Sequence, residues 1–317
     1  MIRIEVRLSA GAADRADRVI AAAVAGLSRR RAQQLIAEGS IRVDGRRIRK
    51  GAVLSGDRVI DIEILVPVSQ TLAPEPDLEI PILYQDDACV AVDKPAGRPS
   101  HALDADERGT VANFLVGRFP ETAAAGKTPL ESGLAHRLDT DTSGVLLAAR
   151  TPEAWRRLRS EFSERRVRKC YLALVHGSTP ERAEIDRPIA AHPRSRRRVR
   201  VLGDGDSSAR GRPAVTRYRA IAQSAGFTLL EVTIETGVMH QIRAHLAASG
   251  HPVVGDEIYG VGRTEGAPRQ LLHAERLEFR HPTSGEWVRV LSPLPRDFRE
   301  FLGRDVASLV SLSKRYN

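Results

Sequence analysis

The sequence predicts an α+β chain built on a mixed sheet, and three observations carry that reading. Short β-like runs (ACVAVD, GVLLAA, CYLALVHG, FTLLEVTIET, WVRVLSPLP) are interspersed with helical ones (PEAWRRLRSEFSER, HQIRAHLAAS). Their order is not the regular β-α-β-α alternation of a doubly wound parallel sheet. The segment from Val66 to Pro81 carries four prolines and little apolar periodicity, which marks a linker between a small N-terminal module and a larger body. With 317 residues and 42% hydrophobic content, the chain can fill two cores. The expected division is a module over 1–66, a linker over 67–80, a body over 81–302 and a tail over 303–317.

In the module, Ser28 is placed to cap a helix that Gly39 ends, with Ala32, Leu35 and Ile36 at helical spacing. IRVDGRRI follows, where Asp44-Gly45 between alternating residues signals a type I′ hairpin. Residues 1–66 hold 13 basic and 8 acidic side chains. Arg29, Arg30, Arg31, Arg42, Arg46, Arg47, Arg49 and Lys50 gather around one helix start and one hairpin, a pattern suited to a phosphate backbone. A second basic stretch places five arginines within 194–200, ahead of a Gly-rich loop, and reads as a basic hairpin or arm.

The net charge of +9 favours a polyanionic partner, although arginine far outnumbers lysine and dilutes that signal. No run of about 18 apolar residues suggests a membrane span, and no signal-peptide core is visible, so a cytoplasmic location is expected. Cys89 and Cys170 are far apart in apolar surroundings and are expected as buried thiols without a disulfide; a cysteine-ligated metal is not expected, since neither has a near partner in sequence. His240 and His245 lie five apart, which does not share a helix face, so these and His136 are expected to hydrogen-bond structurally. No metal and no nucleotide-binding motif is expected.

The stretch HRLDTDTSGVLLAAR (136–150) carries the chemistry. Asp141-Thr142-Ser143-Gly144 has the form of an aspartic-protease motif, but no second copy is present to share the proton. An Asp-x-Asp phosphatase would need the apolar strand before the motif, and here it follows. The third possibility uses Asp139 alone as an ionised carboxylate, with Asp141, Thr142 and Ser143 shaping its loop through side-chain-to-backbone bonds.

Two resemblances then enter. SRRRAQQLIAEGSIRVDGRRIRKG resembles the S4 RNA-binding domain over roughly 14–62. HRLDTDTSGVLLAAR resembles the signature of the RluA-type pseudouridine synthases, and VDKPAGRPSHA, KCYLALVHG, GRPAVTRYR, ETGVMHQIRAHLAASGHPVVGDEIYG and LLHAERLEFRHPTSG resemble further blocks of that family in family order, over about 80–295. The resemblance implies a mixed, largely antiparallel pseudouridine-synthase sheet flanked by helices, preceded by a small α/β S4 domain. It implies isomerisation of uridine to pseudouridine in RNA, without a cofactor and with a flipped target base. It implies Asp139 as catalytic carboxylate, Arg243 as its partner, and Tyr171 against the base as a candidate for taking the C5 proton. Arg137 would fill the space the base leaves, Leu272 would line the pocket, and Arg29, Arg30, Arg31, Arg46 and Arg47 would contact RNA. Large-subunit ribosomal RNA is the first expected partner and tRNA the second, with a monomeric enzyme. An RNA-binding or ribosome-assembly factor without turnover is the competing reading. Val238 stands where the family usually has arginine, a departure that bears on RNA affinity or target more than on chemistry, and Ala102, where it tends to have proline, is a smaller one.

Overall fold

The structure is a computed structural model that describes residues 2–8, 13–24, 27–65, 71–128, 130–195, 197–203, 211–224, 226–260, 262 and 264–305. The chain divides into two compact units, one of Met1–Glu79, His101–Leu134 and Arg150–Pro152, the other of Ile80–Ser100, Ala135–Ala149 and Glu153–Asn317.

The first unit contains β1 (Ile2–Leu8), β2 (Asp14–Arg15), α1 (Ala16–Ala23), α2 (Arg29–Ala37), β3 (Ile41–Val43), β4 (Arg46–Arg47), β5 (Val53–Leu54), β6 (Arg58–Ile64) and α3 (Val111–Arg118). Ser28 caps α2 by accepting the Arg31 amide at 3.1 Å, and Ala32, Leu35 and Ile36 face the core, as the spacing predicts. They pack with Ile41, Ile60, Ile62 and Ile64 of a four-stranded sheet in the order β1-β6-β3-β4. Asp44 and Gly45 both have positive φ, which the type I′ turn between β3 and β4 requires. Of the stretch expected as a linker, 67–70 lie outside the described residues. Ala73 and Glu75 accept or donate bonds to Asn113 on α3, so this part is packed.

The second unit contains β7 (Ile82–Gln85), β8 (Cys89–Lys94), β9 (Ser143–Ala149), α4 (Pro152–Ser163), β10 (Arg168–His176), β11 (Arg182–Asp186), β12 (Ile189–Ala191), β13 (Val199–Val201), β14 (Val215–Ser224), β15 (Phe227–Ile234), α5 (Gln241–Ala248), β16 (Leu272–Arg280), β17 (Trp287–Leu291) and α6 (Arg296–Asp305). Nine strands make one sheet in the order β11-β14-β15-β10-β16-β9-β8-β7, with β17 on β16. Every pairing is antiparallel except β9 with β16. Strand β9 is buried at all seven positions, which explains why its sequence is a continuous apolar run without alternation. The basic stretch near 194–200 forms a β12–β13 hairpin, whereas the Gly-rich loop over 204–210 and residues 306–317 of the tail lie outside the described residues. Both cysteines are buried and free.

Candidate active site

The loop before β9 is fixed at its backbone. Thr142 N donates to the Asp139 carbonyl at 3.1 Å, closing a turn. Ser100 Oγ donates to the Leu138 carbonyl and accepts its amide. Lys94, fully buried, donates its Nζ to the carbonyls of Pro95, Arg98 and Thr140 at 2.9, 2.6 and 2.7 Å. Burial pushes its ammonium down to about 7, partly resisted by the charges of Asp141 and Asp139. Arg269 Nη1 donates to the Asp141 carbonyl at 3.0 Å. The side chains of Thr142 and Ser143 bond to Gln270, His273 and Arg269 and not to their own loop backbone, which differs from the sequence expectation. Gly144 closes the loop at φ +114°, where a Cβ would lie 2.2 Å from the Ala274 carbonyl oxygen across the parallel β9–β16 contact.

Asp139 faces Arg243, whose Nη1 donates to Asp139 Oδ2 at 2.8 Å. Arg243 stands on α5, a helix buried around its first turns and entered through His240 in the left-handed region. The other edge of the guanidinium is held by Asp256, with Nε to Oδ2 at 2.7 Å and Nη2 to Oδ1 at 2.9 Å. Asp256 is 1% exposed and also accepts the amides of Ile258 and Tyr259. Burial works against the charge on Arg243, but Asp256 and then Asp139 more than offset it, so its pKa is raised. Burial likewise opposes ionisation of Asp256, and Arg243 outweighs it to hold the carboxyl below its ordinary range. The guanidinium is therefore a fixed, permanently charged bridge between two carboxylates, one internal and one facing a cavity.

That cavity, about 260 Å³, is lined by Arg137, Asp139, Tyr171, Arg212, Arg243 and Leu272, among others. The structure thus gathers the five body residues singled out from the sequence around one space. Tyr171 and Leu272 are buried and Arg137 is exposed. Burial, then the charge of Asp139, raises the Tyr171 phenol above its ordinary pKa, so it stays neutral. Val238 is at the cavity and packs with Ile189, Val199, Ala214, Ala244 and Tyr259. Asp141 is exposed and borders a different cavity, next to Glu265 and Arg269.

The five N-terminal arginines lie in the first unit. Arg29 reaches the buried carboxylate of Asp17 at 3.1 Å, and Arg31 reaches Asp106 at 3.2 Å. Arg30, Arg46 and Arg47 are exposed. The three histidines make structural bonds: His136 Nε2 accepts the Leu147 amide, His240 Nδ1 meets Tyr259 Oη, and His245 bridges Thr216 Oγ1 and the Arg187 carbonyl.

Sequence reasoning missed Asp256, Lys94 and Arg269. Asp256 lies in the quoted GDEIYG block, and Lys94 in the Lys-Pro turn, so their positions were visible while their partners were not. It also expected no partner for Cys89. In the structure Asp86, Cys89 and His281 bring donor atoms within 4.8 Å of one another, because β16 carries the chain back beside β8 by way of β9. These atoms are already engaged: Asp86 accepts Tyr84 Oη at 2.5 Å and His281 Nε2 at 2.8 Å, and its other oxygen accepts the amides of Ala88 and Cys89. His281 Nδ1 accepts the amides of Thr283 and Ser284, which leaves the ring proton on Nε2, pointing at the carboxylate. The trio is a hydrogen-bond junction, and burial drives the Cys89 thiol up to about 12.

Comparison with known proteins gives the family. The family model described as RNA pseudouridylate synthase matches residues 88–248, and the S4 domain model matches 14–60. An uncharacterized RNA pseudouridine synthase of Chloroflexus aurantiacus is 41% identical over 90% of this chain and 88% of its own length. Ribosomal large subunit pseudouridine synthase D of Xanthomonas campestris is 36% identical over 99% of this chain and 96% of its own. The solved structure of human RNA Pseudouridylate Synthase Domain Containing 1 superposes with a TM-score of 0.57 at 27% identity, covering 77% of this chain and 98% of that one. No helix among the described residues is long and apolar enough to cross a membrane. With a family model spanning half its length around the Asp139 pocket and an S4 match in front, the chain belongs to the RNA pseudouridylate synthase family.

Proposed function

We propose that the protein isomerises specific uridines of large-subunit ribosomal RNA to pseudouridine, with Asp139 as the catalytic carboxylate. The observation that carries this reading is the Asp139–Arg243–Asp256 arrangement: one carboxylate presented to a small cavity on a guanidinium whose other edge is held by a buried carboxylate. The net reaction breaks the N1–C1′ bond, forms a C5–C1′ bond, and moves a proton from C5 to N1. No electron leaves and no group is lost, so a carboxylate acting at the ribose is sufficient.

The cavity is small, and Tyr171, Arg243 and Leu272 on its wall are buried, so a paired uridine must leave its stack to enter. Inside, the base lies between Tyr171 and Leu272, and exposed Arg137 occupies the gap left in the RNA. Tyr171 is held neutral by burial, so it can take the C5 proton only by passing on its own; packing against the base is the role its burial supports directly. The S4 unit contributes RNA affinity through Arg30, Arg46 and Arg47, with Arg29 and Arg31 already sharing carboxylates. Large-subunit RNA is chosen over tRNA because relatives matching nearly the whole chain carry that name.

The test is tritium release from 5-³H-uridine transcripts of large-subunit ribosomal RNA and tRNA. Release by the wild type and none by Asp139→Asn is expected, with ribosomal RNA preferred. Release that survives Asp139→Asn would overturn the assignment. RNA binding without release from any transcript would favour the non-catalytic reading.

A further inference from the structure

A second cavity, about 590 Å³, lies at the start of β10 and the end of β15, and the reading above does not use it. Its lining carries seven basic and two acidic side chains, and Glu161, Glu164 and Glu184 just outside it pair with Arg166 and Arg217, so the surplus lies on the side of Arg165, Arg168, Arg276 and Arg280. At its edge stands Trp287 on β17, 46% exposed, whereas the chain's other tryptophan, Trp155, is buried. Two guanidiniums approach the Trp287 ring, Arg168 at 4.9 Å and Arg280 at 5.1 Å from its centroid. The register explains the grouping. Arg280 pairs directly with Trp287, and Arg168 pairs with Glu278 two residues before Arg280, so all four share one face of the sheet. Glu278 is the carboxylate for Arg168, Arg276 and Arg289 together, so one anion meets three cations. A large exposed aromatic set among surplus cations is the combination that binds single-stranded nucleic acid: cations track phosphates, and a π-face accepts any base.

The cavity also adjoins the Asp139 pocket around the start of β10, where the lining passes from the Arg168 face of the strand to the Tyr171 face. It shares Arg165, Lys169, Ile234 and Glu235 with an intermediate cavity of about 610 Å³, and that one shares Arg137, Tyr171 and Arg212 with the catalytic pocket. We infer that the single-stranded RNA flanking the target uridine runs from the Asp139 pocket past Arg137 and Arg165 to Trp287, where a base stacks on the indole. This deepens the functional reading and rests on it.

Trp155→Phe leaves Trp287 as the only tryptophan, so its emission reports the platform alone. The probe is a labelled twelve-nucleotide oligouridylate, added to the Trp155→Phe, Asp139→Asn chain. Binding is followed by anisotropy and Trp287 emission together, with inorganic polyphosphate as the control lacking bases. Expected is quenching by oligouridylate with the same midpoint as the anisotropy, and no quenching by polyphosphate. In the otherwise native chain, Trp287→Ala is expected to weaken oligouridylate binding about 5-fold or more, while Trp287→Phe retains most of it. Emission that stays constant while oligouridylate binds, equal quenching by polyphosphate, or wild-type affinity in Trp287→Ala would each overturn the inference. So would failure of oligouridylate to bind. Tritium release by the wild type separates the two readings: release with a silent Trp287 leaves the function standing and removes the track. Quenching without release removes the function and keeps the track.

Discussion

Asp256→Asn tests how the site is held. Asp256 receives four N–H groups, from Arg243 Nε and Nη2 and from the amides of Ile258 and Tyr259. An asparagine oxygen in place of Oδ1 keeps three of them. Its amide group then points N–H hydrogens at Arg243 Nε, 2.7 Å from the position Oδ2 had occupied. One charge-assisted bond is lost, about 1.5–3 kcal/mol, and a buried ion pair is broken, about 3–5 kcal/mol when one partner is removed. These overlap, so the total is about 3–5 kcal/mol. At roughly 2–4 °C per kcal/mol, the second unit should melt about 6–20 °C lower. The guanidinium then turns toward a new acceptor and carries Asp139 with it. A displacement on the order of 1 Å at a reacting group costs about a hundredfold in rate. Single-turnover tritium release should therefore show kcat down about 10- to 100-fold. KM should be nearly unchanged, because Asp256 is 1% exposed and touches no RNA. A variant with kcat within threefold of wild type and an unchanged melting temperature would refute the idea that Asp256 orients Arg243.

Three other outcomes follow from the geometry. Gly144→Ala should fail to give a folded second unit, since the added Cβ meets the Ala274 carbonyl at 2.2 Å in a left-handed backbone; a wild-type melting curve would contradict this. Ser28→Ala should lower stability by about 1 kcal/mol through loss of the α2 cap, read from denaturant midpoints at constant m-value. Burial, then Lys169 and Arg159, push the His136 imidazole down to about 3, and burial pushes His273 down to about 4. The unfolded chain takes up those protons near 6.5 and the folded chain does not. Stability is therefore full above about pH 6.5 and is lost as pH falls toward 3. His136→Gln, which keeps an acceptor for the Leu147 amide, should flatten the melting-temperature slope over that range; an unchanged slope would assign it to other groups.

Much of this was legible in the residues, for identifiable reasons. Helix α2, its cap and the Asp44-Gly45 turn are local, so spacing alone specifies them. Strands β8, β9, β10, β15 and β17 show as apolar or alternating runs, and α4 and α5 show as helical ones. Asp139, Tyr171 and Arg243 were named through ordered motif resemblance, and the structure brings them to one cavity. What could not be read were pairings across the chain. The carboxylate behind Arg243 comes 13 residues later, after a helix and a turn. The clasp on the Asp139 loop combines Lys94, Ser100 and Arg269 from distant segments. Cys89 gains neighbours only because β16 and β8 flank β9. Val238, a departure from the family pattern, packs under the β12–β13 hairpin among Ile189 and Val199, a use that no local pattern announces.

The parallel contact of β9 with β16 has a bearing on when the protein becomes competent. Strand β16 sits at the middle of the sheet yet comes nearly last in the chain, at Leu272–Arg280. Until it inserts between β10 and β9, Ser143 and Gly144 have no neighbour on that side, and Arg269 and Gln270 cannot grip the Asp139 loop. Such long-range pairing is slow to form and closes late. During synthesis the S4 unit's first strands and helices emerge early, while the pocket can be completed only after the ribosome has passed Arg280. The strands and helices of residues 2–64 therefore precede in synthesis, by some two hundred residues, the strand that clasps the Asp139 loop.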